Sequence, residues 1–279
     1  MRLRLWHAVD GTRIAYREAG AGPALVLLHS ALLTHREWEP AVEHLTHRFR
    51  LVLPDLPLHG DSEDDPRHAY TLAWYVEVMS AFCEATAGPR PLVGGHGMGA
   101  EVLLHAAASG RLRPERLVLA PTRLHGAQAD ARRRRAWRLA ARAGALPGLD
   151  RTLTHAVRAA FRPTRGERLS ARANPAARDL VRHALADVGG NKERARAWAR
   201  HVRHWPTGTS PELLDAYAKL TCPVLLLWAD ADRHYPLARA EEALARLPDG
   251  QLRVLAGAGY LVAYDDPVGL ARELIAFCR

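Results

Sequence analysis

A chain of 279 residues, 48% of them hydrophobic, is long enough for one large domain with an insertion and apolar enough for a packed core. Its formal charge of +9 is almost entirely arginine, with lysine only at Lys192 and Lys219; such arginine- and alanine-rich composition reads as genomic bias, and no nucleic-acid partner is expected. No stretch approaches the roughly 18 apolar residues of a membrane span, and the N-terminus lacks a signal-peptide core, so the expectation is a cytoplasmic protein without a membrane partner.

Arg2–His7 and Thr12–Glu18, separated by Asp10-Gly11, predict an opening hairpin, and the apolar run Ala24–His29 predicts a buried central strand. Thr34-His-Arg-Glu37 has the capping-box pattern and predicts a helix to about His47, followed by a strand at Leu51–Pro54. Thr71 predicts the cap of a helix whose Leu72, Val76, Met79 and Cys83 share one face. Strand, helix and strand follow at Pro91–Gly94, Met98–Ser109 and Arg116–Ala120. This alternation implies right-handed crossovers and a mostly parallel sheet.

From about Thr122 to Pro211 the strand signal vanishes. The segment reads as helical and arginine-rich, with breaks near Pro147-Gly148, Pro163, Pro175 and Gly189-Gly190, and predicts a lid. Strand signal returns at Pro223–Ala229, then a helix over Ala238–Leu247, a strand at Gln251–Leu255, and a last helix opened by Asp266-Pro267. The expected architecture is α/β: a core of residues 1–121 and 212–279 with a mostly parallel eight-stranded sheet flanked by helices, and an all-helical lid over 122–211. Cys83, Cys222 and Cys278 are odd in number and form no CxxC pair, so no disulfide framework or zinc site is expected.

Residues 93–100, between a strand and a helix, read Val-Gly-Gly-His-Gly-Met-Gly-Ala. Along with them, in order, stand Asp10-Gly11-Thr12, Leu27-Leu28-His29, Pro54-Asp55-Leu56, His59-Gly60-Asp61-Ser62, Cys222-Pro223-Val224 and Gly257-Ala258-Gly259. On these motifs the whole chain resembles the α/β-hydrolase fold superfamily, in its capped, epoxide-hydrolase-like and esterase-like branch. The family's GxSxG turn raises a nucleophile above the sheet. The resemblance places that nucleophile position at Gly97, the acid at Asp232, and the histidine base at Tyr260.

Glycine supplies no hydroxyl, and a phenol with an ordinary pKa of about 10 is a poor base at neutral pH, so ordinary covalent hydrolysis is not expected. The oxyanion donors are backbone N–H groups and survive side-chain loss; the resemblance places them at Met98 and on the loop at Ser30-Ala31, with Ala31 the candidate. This loop reads His29-Ser30 where the family has His-Gly. Such donors stabilise an enolate as well as a tetrahedral oxyanion.

The remaining candidates each have two readings. Ser30 is either a relocated nucleophile or a pocket-lining side chain; His96 either packs beneath the site or serves as a base. His234 and His125 are candidates for the lost base, and His29 for a brace of the oxyanion loop. Asp232 is either a base with a raised pKa or a carboxylate capping local backbone. Tyr260 is a donor to ligand or a packed ring. Trp38, Trp137, Trp198 and Trp205 are pocket walls or lid core, and Arg132–Arg135 with Trp137 and Arg138 reads as a solvated lid face.

No cofactor or metal is expected. The leading expectation is a non-hydrolytic enzyme, an epimerase or isomerase moving a proton next to a carbonyl in a peptide or other specialised metabolite, active as a monomer or homodimer. In its triad loss the chain is similar to the bottromycin epimerase group. A ligand-binding protein without turnover and a hydrolase with a relocated nucleophile are the alternatives.

Overall fold

Period-two alternation decides which face each central strand residue takes. In β3 (Ala24–Leu28), Val26 and Leu28 join the core beneath α2 (Leu72–Ala87) and α3 (Met98–Ala108), while Leu25 and Leu27 join the core of the opposite face. Both faces are apolar, as a sheet covered on two sides requires. The computed structural model describes residues 1–65, 67–126, 169–172, 174–188, 192–206 and 208–279, together with Arg135, Leu139 and Arg142.

The other strands are β1 (Arg2–His7), β2 (Arg13–Ala19), β4 (Arg50–Pro54), β5 (Leu92–Gly95), β6 (Arg116–Leu119), β7 (Val224–Ala229) and β8 (Gly250–Leu255). They form one eight-stranded sheet in the order β1-β2-β4-β3-β5-β6-β7-β8. β2 pairs antiparallel with β1 and β4, and every other pairing is parallel. This is the eight-stranded, mostly parallel α/β sheet expected. Carboxyl ends of parallel strands are where such sheets open a crevice; here they carry Ser30, His96-Gly97, Thr122 and Asp232.

The helix expected from Thr34 to His47 is instead a 3-10 turn, His35–Trp38, followed by α1 (Glu39–Leu45). Pro40 has no N–H to continue a helical ladder, and its fixed φ starts α1 afresh. The capping box is half present: Thr34 Oγ1 accepts Arg36 N–H at 3.3 Å, but the Glu37 side chain turns into the core.

Of the segment expected to form a lid, the structure describes α4 (Pro175–Val188) and α5 (Lys192–His204); Pro175 opens a helix rather than breaking one. The expected breaks at Pro147-Gly148, Pro163 and Gly189-Gly190, the run Arg132–Arg134, and Trp137 and Arg138 lie outside the described residues. Arg194 Nε meets Asp64 Oδ2 at 2.8 Å, tying α5 to the loop after β4.

The remaining helices are α6 (Glu212–Tyr217), α7 (Leu237–Leu244), α8 (Val262–Asp265) and α9 (Pro267–Phe277), the last capped by the Asp266 side chain as expected. All three cysteines are free and buried. Among the described residues no helix is long and apolar enough to cross a membrane.

Candidate active site

β5 ends at Gly95 and α3 begins at Met98, so His96 and Gly97 must turn the chain. Gly97 does so at φ +50° and ψ −113°, a conformation that L side chains rarely adopt. His96 N–H donates to Leu28 O at 3.0 Å, Gly97 N–H to Pro121 O at 3.0 Å, and Thr122 Oγ1 to Gly97 O at 2.8 Å. The turn is thereby clamped between the ends of β3 and β6.

A side chain at this turn would have to displace its neighbours: a β-carbon on residue 97 would press on Ser30 Oγ and stand 2.8 Å from the Tyr260 hydroxyl. Those two hydroxyls are hydrogen-bonded to each other. The Tyr260 ring lies against His96 with centroids 4.3 Å apart, and His234 meets its edge at 5.4 Å. Asp265 holds the Tyr260 turn by accepting Gly259 N–H at 2.7 Å and Ala171 N–H at 2.9 Å. Burial, with Tyr235 and Glu37 nearby, lifts the Tyr260 phenol well above its ordinary range. At neutral pH it is a donor, not a base.

Asp232 stands on the loop after β7. Its Oδ1 accepts His234 N–H at 2.7 Å, while Oδ2 is buried without a partner among the described residues. Burial raises its pKa, against the pull of the His234 N–H and of His96. A buried polar atom left bare in this way costs roughly 1–3 kcal/mol.

Glu37 is the site residue that sequence reading missed. Only 2% exposed, it accepts Ser30 N–H on Oε2 at 2.6 Å and faces His96 Nδ1 with Oε1. Its spacing from Thr34 mimics a capping box, and its partner His96 lies 59 positions onward, so no local pattern marks it. Glu37 consumes the Ser30 N–H. The expected donors, Ala31 N–H and Met98 N–H, meet no acceptor among the described residues.

The other candidates separate. His29 is a brace: Nε2 accepts Leu56 N–H at 2.8 Å, leaving Nδ1–H to donate to Ser30 O at 2.7 Å. His125 does not replace the base, because its ring is held between Glu242 Oε2 at 2.8 Å and the Tyr217 hydroxyl at 3.3 Å. Trp38 is not a pocket wall either; its apolar surface is buried with Leu25, Leu27 and Ala41 under the sheet. Trp198 and Trp205 are buried in the opposite core. Away from Gly97, Glu63, Asp65 and His68 form a potential metal-ligand group, but Arg67 pairs with Asp65 and Arg13 N–H binds Glu63 at 2.7 Å.

Residues 25–273 match the model of the alpha/beta hydrolase family. An uncharacterised protein of Mycobacterium tuberculosis is 29% identical over 94% of this chain and 77% of its own length. The pimeloyl-[acyl-carrier protein] methyl ester esterase of Xanthomonas campestris is 33% identical over 86% of this chain and 89% of that protein. A solved thermophilic esterase from Thermogutta terrifontis superposes with a TM-score of 0.78 at 22% identity, covering 100% of this chain and 98% of that one. With that match and this fold, the chain belongs to the alpha/beta hydrolase family.

Proposed function

We propose that this chain is an atypical member without the serine–histidine pair, an epimerase or isomerase that moves a proton at the carbon beside a carbonyl in a peptide or other small specialised metabolite. One observation carries the reading. The space of a side chain at residue 97 is filled by a Ser30–Tyr260 hydroxyl pair, near an Asp232 oxygen that has no partner among the described residues.

In this reading the substrate carbonyl oxygen receives the Ala31 and Met98 N–H groups and the Tyr260 hydroxyl. Asp232 Oδ2 takes the α-proton, and the electron pair of the broken C–H bond becomes an enolate whose charge the three donors hold. A water-derived proton delivered to the other face of the carbon, with Asp232 releasing its own proton to solvent, gives the epimer; return of the Asp232 proton to a conjugated neighbour gives the isomer. Positioned general bases contribute about 10²–10⁴-fold. The test is incubation of enantiopure peptides and α-substituted carbonyl compounds with the protein in heavy water. Enzyme-dependent deuterium at the α-carbon with loss of optical purity supports the reading, and its absence across the panel counts against it.

A second reading is ester hydrolysis through Ser30, whose Oγ stands against the place a β-carbon of residue 97 would take. The Xanthomonas relative is named for a methyl ester. Against it, the hydroxyl next to Ser30 belongs to a phenol held in its protonated form, and an unactivated serine is a weak nucleophile. A fluorophosphonate adduct on wild type that disappears in Ser30→Ala favours this second reading.

A further inference from the structure

One carboxylate joins the two loops that make the site. Glu37 holds Ser30 N–H with Oε2 and meets His96 Nδ1 with Oε1. An ionised carboxylate only accepts, so the His96 proton on that side sits on Nδ1. Nε2 lies across the ring from Nδ1; it is buried and has no hydrogen-bond partner among the described residues. The ring is wholly buried against Tyr260, and His96 and Asp232 act on each other electrostatically. A proton on Nε2 would make a buried N–H without an acceptor among the described residues.

We propose that Glu37 is a positioning residue that holds His96 in its Nδ1–H tautomer, making the bare Nε2 a second proton-accepting atom of the site beside Asp232. The arrangement is a carboxylate–imidazole pair built one residue before the turn, with the carboxylate orienting the ring as it does in hydrolytic triads. The proposal rests on the proton-transfer reading only for its effect on rate, because the tautomer belongs to the resting protein.

The experiment is nitrogen-15 NMR of histidine-labelled wild type, with His96→Phe used for assignment. The expected spectrum has a protonated Nδ1 and an unprotonated Nε2 on His96. Glu37→Gln is nearly isosteric: its amide oxygen still accepts Ser30 N–H, but its amide N–H presents a donor to Nδ1 and drives the proton to Nε2. The two nitrogen signals then exchange character, while Glu37→Asp, which still presents only acceptors, keeps the wild-type tautomer. Thermal melts establish that each variant is folded.

On any substrate that wild type exchanges in heavy water, Glu37→Gln lowers the turnover with KM little changed, by up to about 10⁴-fold, the cost of holding a histidine base in the wrong tautomer. A protonated Nε2 in wild type, an unchanged tautomer in folded Glu37→Gln, or an unchanged turnover overturns the proposal. The stated tautomer together with no exchange on any substrate contradicts the proposed function instead and leaves the role of Glu37 in holding His96 intact.

Discussion

Tyr260 and Ser30, 230 positions apart in the chain, join hydroxyls in the space where a side chain at residue 97 would lie. The turn and its neighbours are therefore fitted to each other. Glycine suits the turn both by its surroundings and by its φ of +50°, where any other residue is strained.

Restoring a serine at the turn alone should fail. Gly97→Ser adds backbone strain of roughly 1–3 kcal/mol and an overlap with Ser30 Oγ of similar cost, so urea melts are expected to show a loss of about 2–6 kcal/mol. Adding Ser30→Gly recovers part of it, and the two changes are non-additive. Additive, harmless substitutions would show that the pair does not fill this space. With Tyr260→His as the third change, ester hydrolysis is expected to appear.

In the proposed reaction the Tyr260 hydroxyl is one of three donors to the substrate oxygen. Tyr260→Phe keeps the ring against His96 and removes only that hydroxyl. On a substrate the wild type turns over, kcat falls by about 10²–10³, the usual cost of one oxyanion donor, with KM nearly constant. Unchanged kcat would assign the ring to packing alone.

In the proposed reaction Asp232 accepts the α-proton. Asp232→Asn lowers α-proton exchange by about 10²–10⁴ without loss of stability. Because burial raises its pKa, the rate rises with pH along a limb above the usual carboxylate range. Stability runs the other way: the folded state binds this proton more readily than the unfolded state, so stability falls as pH rises from the unfolded toward the folded pKa. A pH–rate profile and denaturant melts across the same range check both signs.

A buried ion pair separates from the chemistry. Glu101 and Arg123 are 5% and 4% exposed, hydrogen-bonded to each other, and Arg123 also donates to Gly208 O. Burial lifts Glu101 to about 7 against the pull of Arg123. Arg123→Met strands the carboxylate and costs about 3–5 kcal/mol, whereas adding Glu101→Leu recovers much of it. The folded pKa exceeds the unfolded value, so this group's contribution makes stability fall as pH rises from about 4.5 to about 7. Glu101→Gln flattens that slope; a slope that persists would point to another group.

The sheet was legible because its signal is local: apolar runs such as Ala24–Leu28 and Val224–Ala229 mark buried strands, and Thr71 and Asp266 mark helix starts. The elbow was legible too, through its glycines. Contacts between distant loops were not. The capping-box pattern Thr34–Glu37 concealed a carboxylate aimed at His96, and the pocket tryptophan, Trp38, is core because its neighbours Leu25 and Leu27 face the same side of the sheet. His125 was a plausible base until Glu242, 117 positions away, closed on its Nε2.

An enantiopure ester with an acidic α C–H offers both chemistries in one molecule. Incubated with the protein in heavy water and read by mass spectrometry, the intact ester gains one deuterium if the α-proton moves, and free acid appears if the ester bond breaks. Proton transfer at this site predicts α-deuteration of intact ester that is lost in Asp232→Asn and retained in Ser30→Ala. Free acid without deuteration, retained in Asp232→Asn and lost in Ser30→Ala, would contradict it.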